Sequence, residues 1–313
     1  TMTTAVRNTA VGTEALNAST TGYNNTAIGY VAGKAIIEGY QNTLVGDRAG
    51  TAITSGDNNT AVGQHALKTS TTTNRSTAIG MNALTLSTSD DCTAVGAFSL
   101  AANSTGADNT AVGAYALEGN TTGGSNVAVG MDTLKANTTG VRNIAVGSEA
   151  YNASDTENDN VAIGHAAMTT NTAGGTRNVA VGNYALDALT SADDNVAVGH
   201  TAGTSITTAG NCTFVGRDAG GQVTTGESNT AIGYATLVDT AATDGGRWNT
   251  AVGAFSRVVA DGEGAVVIGY NVSGTEGYTT LGKDADDIRA AHGNTSWATV
   301  SDERVKKDIT DST

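Results

Sequence analysis

Five residues return at near-constant distance along most of this sequence. "NTAVG" stands at Asn8, Asn59, Asn109 and Asn249, and "NTAIG", "NTLVG", "NVAVG" and "NIAVG" fill the intervals. The closing glycines are Gly12, Gly29, Gly46, Gly63, Gly80, Gly96, Gly113, Gly130, Gly147, Gly164, Gly182, Gly199, Gly216, Gly233 and Gly253. Their spacing is 17 residues, with single departures of 16, 18 and 20, and two weaker units end at Gly269 and Gly282. A fixed short period means that one structural unit is stacked on copies of itself. Seventeen residues cannot hold two helices and a turn, but they suit one coil of a parallel β-solenoid.

The local pattern agrees. Val or Ile precedes each of the first fifteen glycines, and two places earlier stands Thr, Val or Ile. Between them lies Ala in thirteen units, with Leu44 and Phe214 as the exceptions. Successive strand side chains point to opposite faces. One face is therefore β-branched, as extended chain favours, and the other is almost always a methyl group. Glycine then permits a turn. Three and four places after the glycine come "AL" (Ala15, Ala66, Ala83, Ala116, Ala185) or "AG" (Ala32, Ala49, Ala202), then a polar run such as "NTTG". This half of the unit predicts a second short strand and a turn. At about 4.8 Å per coil, 17 units predict a rod of roughly 80 Å. Asn opens twelve of the first fifteen units, with Ser76, Cys92 and Cys212 as departures, which predicts an amide ladder between coils.

Such a coil has little to bury. The chain has 313 residues, no proline, 41 glycines and 4% aromatic residues, and alanine methyls contribute little at about 25 cal/mol per Å². The invariant Val/Ile face needs a tight interior or a partner surface, and three copies side by side would provide the latter. A homotrimer is the expectation. The net charge of −14 argues against nucleic acid or an anionic membrane as a partner. No stretch has transmembrane length or the form of a signal peptide, so membrane insertion is not expected. Thr1 before Met2 reads as the start of an excised or processed piece.

No residue cluster asks for a cofactor or metal. Cys92 and Cys212 occupy the same place in units seven coils apart, roughly 34 Å along a rod of that rise. A disulfide needs Cα atoms within about 7 Å, so both read as buried free thiols. His65, His165, His200 and His292 form no metal-spaced pair. The acidic turns at Asp90–Asp91, Asp155–Asp159 and Asp193–Asp194 read as solvated, because calcium needs six to eight oxygens in a defined constellation. Within the repeats nothing has nucleophile–base spacing, so a turnover enzyme is not expected. Phe98, Tyr115, Tyr184 and Phe255, near their glycines, could line a receptor or glycan groove or pack between subunits.

After Gly282 the repeat stops, and the chain closes on "SDERVKKDITDST" from Ser301. By composition this is a charged tail. "SDERVKKDI" also resembles the opening of the intramolecular chaperone domain at the C-terminus of phage endosialidase-type tailspikes and tail fibres, whose pattern is Ser-Asp-any-Arg-aliphatic-Lys. Ser301, Asp302, Arg304, Val305 and Lys306 match it in order. The resemblance implies self-cleavage of the Val300–Ser301 bond, with Ser301 as nucleophile and Lys306 as its activating partner, a role that needs a lowered lysine pKa. Only 13 residues of a domain of about a hundred are present, so this stub should not fold as the chaperone or cleave. The "NTAVG..AL" coils over most of residues 5–282 resemble the head of trimeric autotransporter adhesins, a left-handed parallel β-roll wound as a trimer. The period here is longer than that family's usual unit, and its membrane-anchor barrel is absent.

The expected organisation is an all-β parallel β-roll fibre over residues 1–282, a cap or neck over 283–300 and a chaperone stub over 301–313. The expected function is a structural and adhesive trimeric fibre of a bacteriophage tail, located in the virion and binding a host-surface receptor such as a glycan. The alternative is the head of a bacterial surface adhesin. An ice-binding solenoid and a polysaccharide-degrading spike stand behind it: Thr yields to Val or Ile between Val127 and Val196, and no carboxylate pair clusters at equivalent coils.

Overall fold

A computed structural model describes residues 4–171, 174–237, 246–259, 262–284, 286–293 and 298–299. It is all-β, with no helix among these residues, and forms a parallel β-solenoid of about 15 coils of about 17 residues. The chain divides into two compact units, Thr1–Thr176 and Arg177–Thr313.

The first unit stacks ten three-residue strands: β1 (Thr9–Val11), β2 (Thr26–Ile28), β3 (Thr43–Val45), β4 (Thr60–Val62), β5 (Thr77–Ile79), β6 (Thr93–Val95), β7 (Thr110–Val112), β8 (Val127–Val129), β9 (Ile144–Val146) and β10 (Val161–Ile163). Each pairs in parallel and in register with the next, so that Ala10 faces Ala27 and Ala128 faces Ala145. The second unit continues the pattern with β11 (Val179–Val181), β12 (Val196–Val198), β13 (Thr213–Val215), β14 (Thr230–Ile232) and β15 (Thr250–Val252). It then carries β16 (Arg257–Val258), β17 (Val266–Tyr270), β18 (Ser273–Gly274), β19 (Tyr278–Lys283), β20 (Asp286–Ala291) and β21 (Ala298–Thr299). β19 lies parallel to β17 on one side and antiparallel to β20 on the other. The direction of the chain reverses there, which ends the parallel stack.

The strand's central residue fills the interior. Ala27, Ala61, Ala94, Ala128 and Ala162 are fully buried, as are Leu44 and Phe214 in the two units that depart from Ala. The flanking residues point outward, and Ile28, Ile79, Val112, Val146, Ile163, Val198 and Ile232 are exposed. Of the two homes the sequence left open for the Val/Ile face, the tight interior is therefore ruled out. The interior is too narrow for two β-branched rows, and methyl groups fit it.

The expected second strand is absent from the regular coils. The segment after each glycine is instead a turn that alternates left-handed and right-handed residues. In one coil Gly113, Tyr115 and Leu117 have φ of 141°, 60° and 52°. The hydrogen-bond ladder survives the bend: Tyr115 N–H donates to Ala97 O of the coil before (2.9 Å), and Leu117 N–H to Thr133 O of the coil after (3.0 Å). Left-handed backbone costs an ordinary residue about 1–2 kcal/mol, whereas burying a leucine contributes about 1.5–3 kcal/mol. Leu16, Leu67, Leu84, Leu100, Leu117 and Leu134 are all buried at this position, so burial outweighs the strain. Among the described residues only β16, paired with β18, supplies a second strand. The glycine itself is required by stacking: at Gly63, with φ 136°, a Cβ would lie 2.5 Å from Gly80 O.

"AL" and "AG" coils differ because volume is exchanged inside. Leu44 lies between Gly33 of the preceding coil and Gly50 of its own, and a Cβ at either would come within 2.7 Å of it. Phe214 is flanked in the same way by Gly203 and Gly220, with hypothetical Cβ contacts of 3.0 and 2.6 Å. Three residues after these glycines stand the buried Ile36, Ile53, Ile206 and Val223. Most leucine coils carry Ser or Asn there, as at Ser70 and Asn120. A large side chain at one wall is matched by a glycine at the other.

The amide ladder is present. Asn126 N–H donates to Asn109 Oδ1 (2.9 Å), and Asn126 Oδ1 accepts Asn143 N–H (2.9 Å). Asn126 Nδ2 donates to Gly140 O at 2.8 Å. Asn25, Asn42 and Asn59 repeat the contact, and Ser76 joins through its backbone N–H at 3.0 Å from Asn59 Oδ1. Gly140 O keeps a second donor in Asn137 Nδ2, so Asn126→Ala orphans chiefly the Asn143 N–H. We expect a loss of about 1–3 kcal/mol, read as a lower urea midpoint at unchanged slope. A shift below about 0.5 kcal/mol would show that the ladder contributes nothing at this rung.

Candidate interaction face

The outward face of the sheet is built from columns that repeat from coil to coil. The first strand residue is Thr in β1–β7 and β13–β15, and Val or Ile in β8–β12. The third is always Val or Ile. Just past the glycine, on the same edge, come Tyr30, Met81, Met131, Tyr234 and Tyr270, with Tyr115, Tyr184 and Phe255 one place further; all eight are exposed. Most of the exposed large apolar side chains of the described residues fall in these columns. Singly exposed apolar residues are ordinary, but a continuous patch beyond a few hundred Å² marks an interaction surface.

Phe98 and Tyr115 belong to the first unit, Tyr184 and Phe255 to the second. Phe98 stacks on Tyr115 with centroids 5.4 Å apart, and Lys135 Nζ lies 4.8 Å over the Tyr115 ring. Tyr184 meets His200 edge-on at 6.0 Å. Phe255 sits between Tyr234 (5.1 Å) and Tyr270 (6.0 Å), and Arg217 lies over Tyr234 at 5.5 Å. Each ring packs on its neighbours one coil away, so each unit carries its own aromatic and cationic edge.

The histidines bond within their own units. His165 Nδ1 is 3.1 Å from Ser148 O, and His292 Nε2 is 3.3 Å from Thr279 Oγ1. Among the described residues no three His, Cys, Asp or Glu side chains converge as a metal site would require. The acidic turns bond to arginines of the adjacent coil: Arg75 to Asp91 at 2.7 Å, Arg142 to Asp159 at 2.6 Å and Arg177 to Asp194 at 2.7 Å. The guanidinium beside each holds the Asp91 and Asp194 carboxyls below the usual carboxylate range. These pairs are open to water, which screens them.

Cys92 and Cys212 are free and fully buried. Each takes an Asn place in the ladder, with Sγ 3.3 Å from Gly106 O and 3.4 Å from Gly226 O, respectively. Burial pushes both thiols up, Cys212 to about 11, so neither presents a thiolate at neutral pH.

One buried cluster escapes the sequence reading. Glu157 stands where the neighbouring coils place Gly140 and Gly123, and it is buried. Its carboxylate accepts the N–H groups of Asp155 (2.8 Å), Thr156 (3.0 Å) and Gly174 (3.1 Å) and the Ser154 hydroxyl (3.4 Å). Beside it Tyr151 takes a leucine position, its hydroxyl accepting from Asn160 (2.5 Å) and Asn171 (2.9 Å), and burial raises that hydroxyl's pKa. The available signal was the pair of misfits, Tyr for Leu and Glu for Gly, just before the 18-residue interval. With its acceptors and donors matched, the cluster satisfies buried polar groups and offers no reactive geometry.

Val300, Ser301 and Lys306 lie outside the described residues. Comparison with protein-family models, curated proteins and solved structures finds no match to this chain.

Proposed function

We propose that this chain is a segment of a homotrimeric fibre whose copies lie parallel and meet through the outward Val/Ile face. The fibre is structural and adhesive, belongs to a bacteriophage tail and attaches the virion to a host-surface receptor. The observation that carries the reading is the continuous apolar column in each unit, flanked by few charges in a chain of net charge −14. A partner that follows this face over many coils must repeat at the same rise, and a second copy of the chain does so by construction. The two outward strand columns carry only Thr, Val and Ile in β1–β15, so copies can meet there without bringing like charges together.

The phage assignment and the maturation step rest on the "SDERVKKDI" resemblance. In the full-length parent, Ser301 cleaves the Val300–Ser301 bond with Lys306 as activating partner, and loss of the chaperone leaves the assembled fibre kinetically trapped. Full-length protein with Ser301→Ala is expected to assemble and remain uncut on a denaturing gel, and Lys306→Met likewise. Normal processing of either variant would overturn the maturation step. The second reading, a bacterial surface adhesin head, draws on the "NTAVG..AL" similarity and predicts the same oligomer without cleavage.

A further inference from the structure

We infer that Trp248 is a platform for the ring of a neutral sugar, on the attachment reading given above. The residue just before each ladder position has left-handed backbone and faces solvent. In the other regular coils it is Arg7, Asn24, Gln41, Asn58, Arg75, Asp91, Asp108, Ser125, Arg142, Asp159, Arg177, Asp194, Asn211 or Ser228. All are polar or charged, and Asn and Asp tolerate this conformation best. Trp248 alone breaks the rule: its φ is 59°, and at 58% it is the most exposed large apolar side chain among the described residues. An aromatic side chain in a column that is otherwise polar or charged breaks the local rule of the repeat, and such departures concentrate at functional positions.

Its surroundings favour a ligand over a subunit contact. The corresponding residues of the coils before and after are Ser228 and Gly264, and a Cβ at Gly264 would meet nothing within 4 Å. Among the described residues, the coil after therefore offers no side chain in this column to cover the ring. Arg247 lies over the ring, 5.4 Å from its centroid, and its Nε is held 3.2 Å from Glu263 Oε1. That guanidinium is already paired, so it offers little to an anion. What remains is a flat, electron-rich indole surface with one face carrying the paired guanidinium. The weakly positive C–H face of a pyranose ring complements the indole face. The acidic chain disfavours an anionic glycan. The column in which Trp248 stands is otherwise charged or polar, unlike the Val/Ile columns assigned to the subunit contact.

The test uses the intact chain on an array of neutral oligosaccharides with glucose, galactose, mannose and N-acetylhexosamine termini, beside Trp248→Asn, Trp248→Ala and Trp248→Phe. Retention of the parent on at least one glycan, weakened tenfold or more in Trp248→Asn and Trp248→Ala and largely kept in Trp248→Phe, supports the platform. Trp248→Asn should meanwhile melt no lower than the parent, because it relieves the backbone strain. No retention on any neutral glycan, or equal retention by Trp248→Asn, overturns the inference. A change of oligomeric mass in Trp248→Asn also overturns it, by making the ring a subunit contact. Binding that tracks Trp248 in a protein that proves monomeric would sink the trimer while leaving the platform standing.

Discussion

Lysine at Ile79, Val112 and Val146 together is expected to leave the coils folded and abolish association. All three side chains point outward and are exposed in the single chain, so an isolated coil accommodates an ammonium there at little cost. In a trimer the same positions leave water. Each copy would then bury three unpaired ammonium groups opposite those of its neighbours, and the effective penalty is several kcal/mol per ion. The apolar contact they replace contributes only about 25 cal/mol per Å², too little to offset even one buried charge. Circular dichroism should be unchanged while sedimentation moves to a single-chain species. Retained oligomer would show that copies meet elsewhere. Collapse of the fold would show that this face belongs to the interior, against the exposures observed.

The second large effect concerns the interior of the other unit. Phe214→Ala is expected to cost about 3–5 kcal/mol, the range for removing a buried phenylalanine. Gly220→Leu should also destabilise, because a Cβ at that position comes within 2.6 Å of the ring. Together the two substitutions rebuild the "AL" coil found elsewhere in the chain: a methyl on the strand and a buried leucine after the turn. The double variant should recover a large part of the loss, with a coupling of roughly 1–3 kcal/mol by double-mutant cycle. Leucine at this place is known to tolerate the left-handed backbone, since Leu186 has φ 50° and Leu237 has φ 53°. Simple additivity of the two losses would deny that glycine and phenylalanine exchange volume.

How much of this could be read beforehand depends on which physical signal carried it. The strand, its parallel register and the asparagine ladder follow from alternation and a constant period, both local and both plain. The inside–outside assignment did not follow, because Ala and Val/Ile rows are each apolar. Only the width of the coil decides that methyl groups go in. The turn reads as a strand in the sequence because Leu117 and its equivalents sit in a conformation that ordinary residues avoid, and only their burial makes it favourable. The glycine partners of Leu44 and Phe214 were legible, since "AG" occurs in the coil before each large residue and in its own. Trp248 is visible in the sequence only once its column is known to be left-handed and solvent-facing. The roles of Ser301 and Lys306 rest on the resemblance of nine residues, and their positions lie outside the described residues.

The molar mass in solution, by light scattering on a sizing column, tests the central claim most directly. A value near three times the 31.2 kDa chain, independent of concentration over the micromolar range, is the result this account predicts. A mass of one chain at the same concentrations would leave the Val/Ile columns facing water and contradict it.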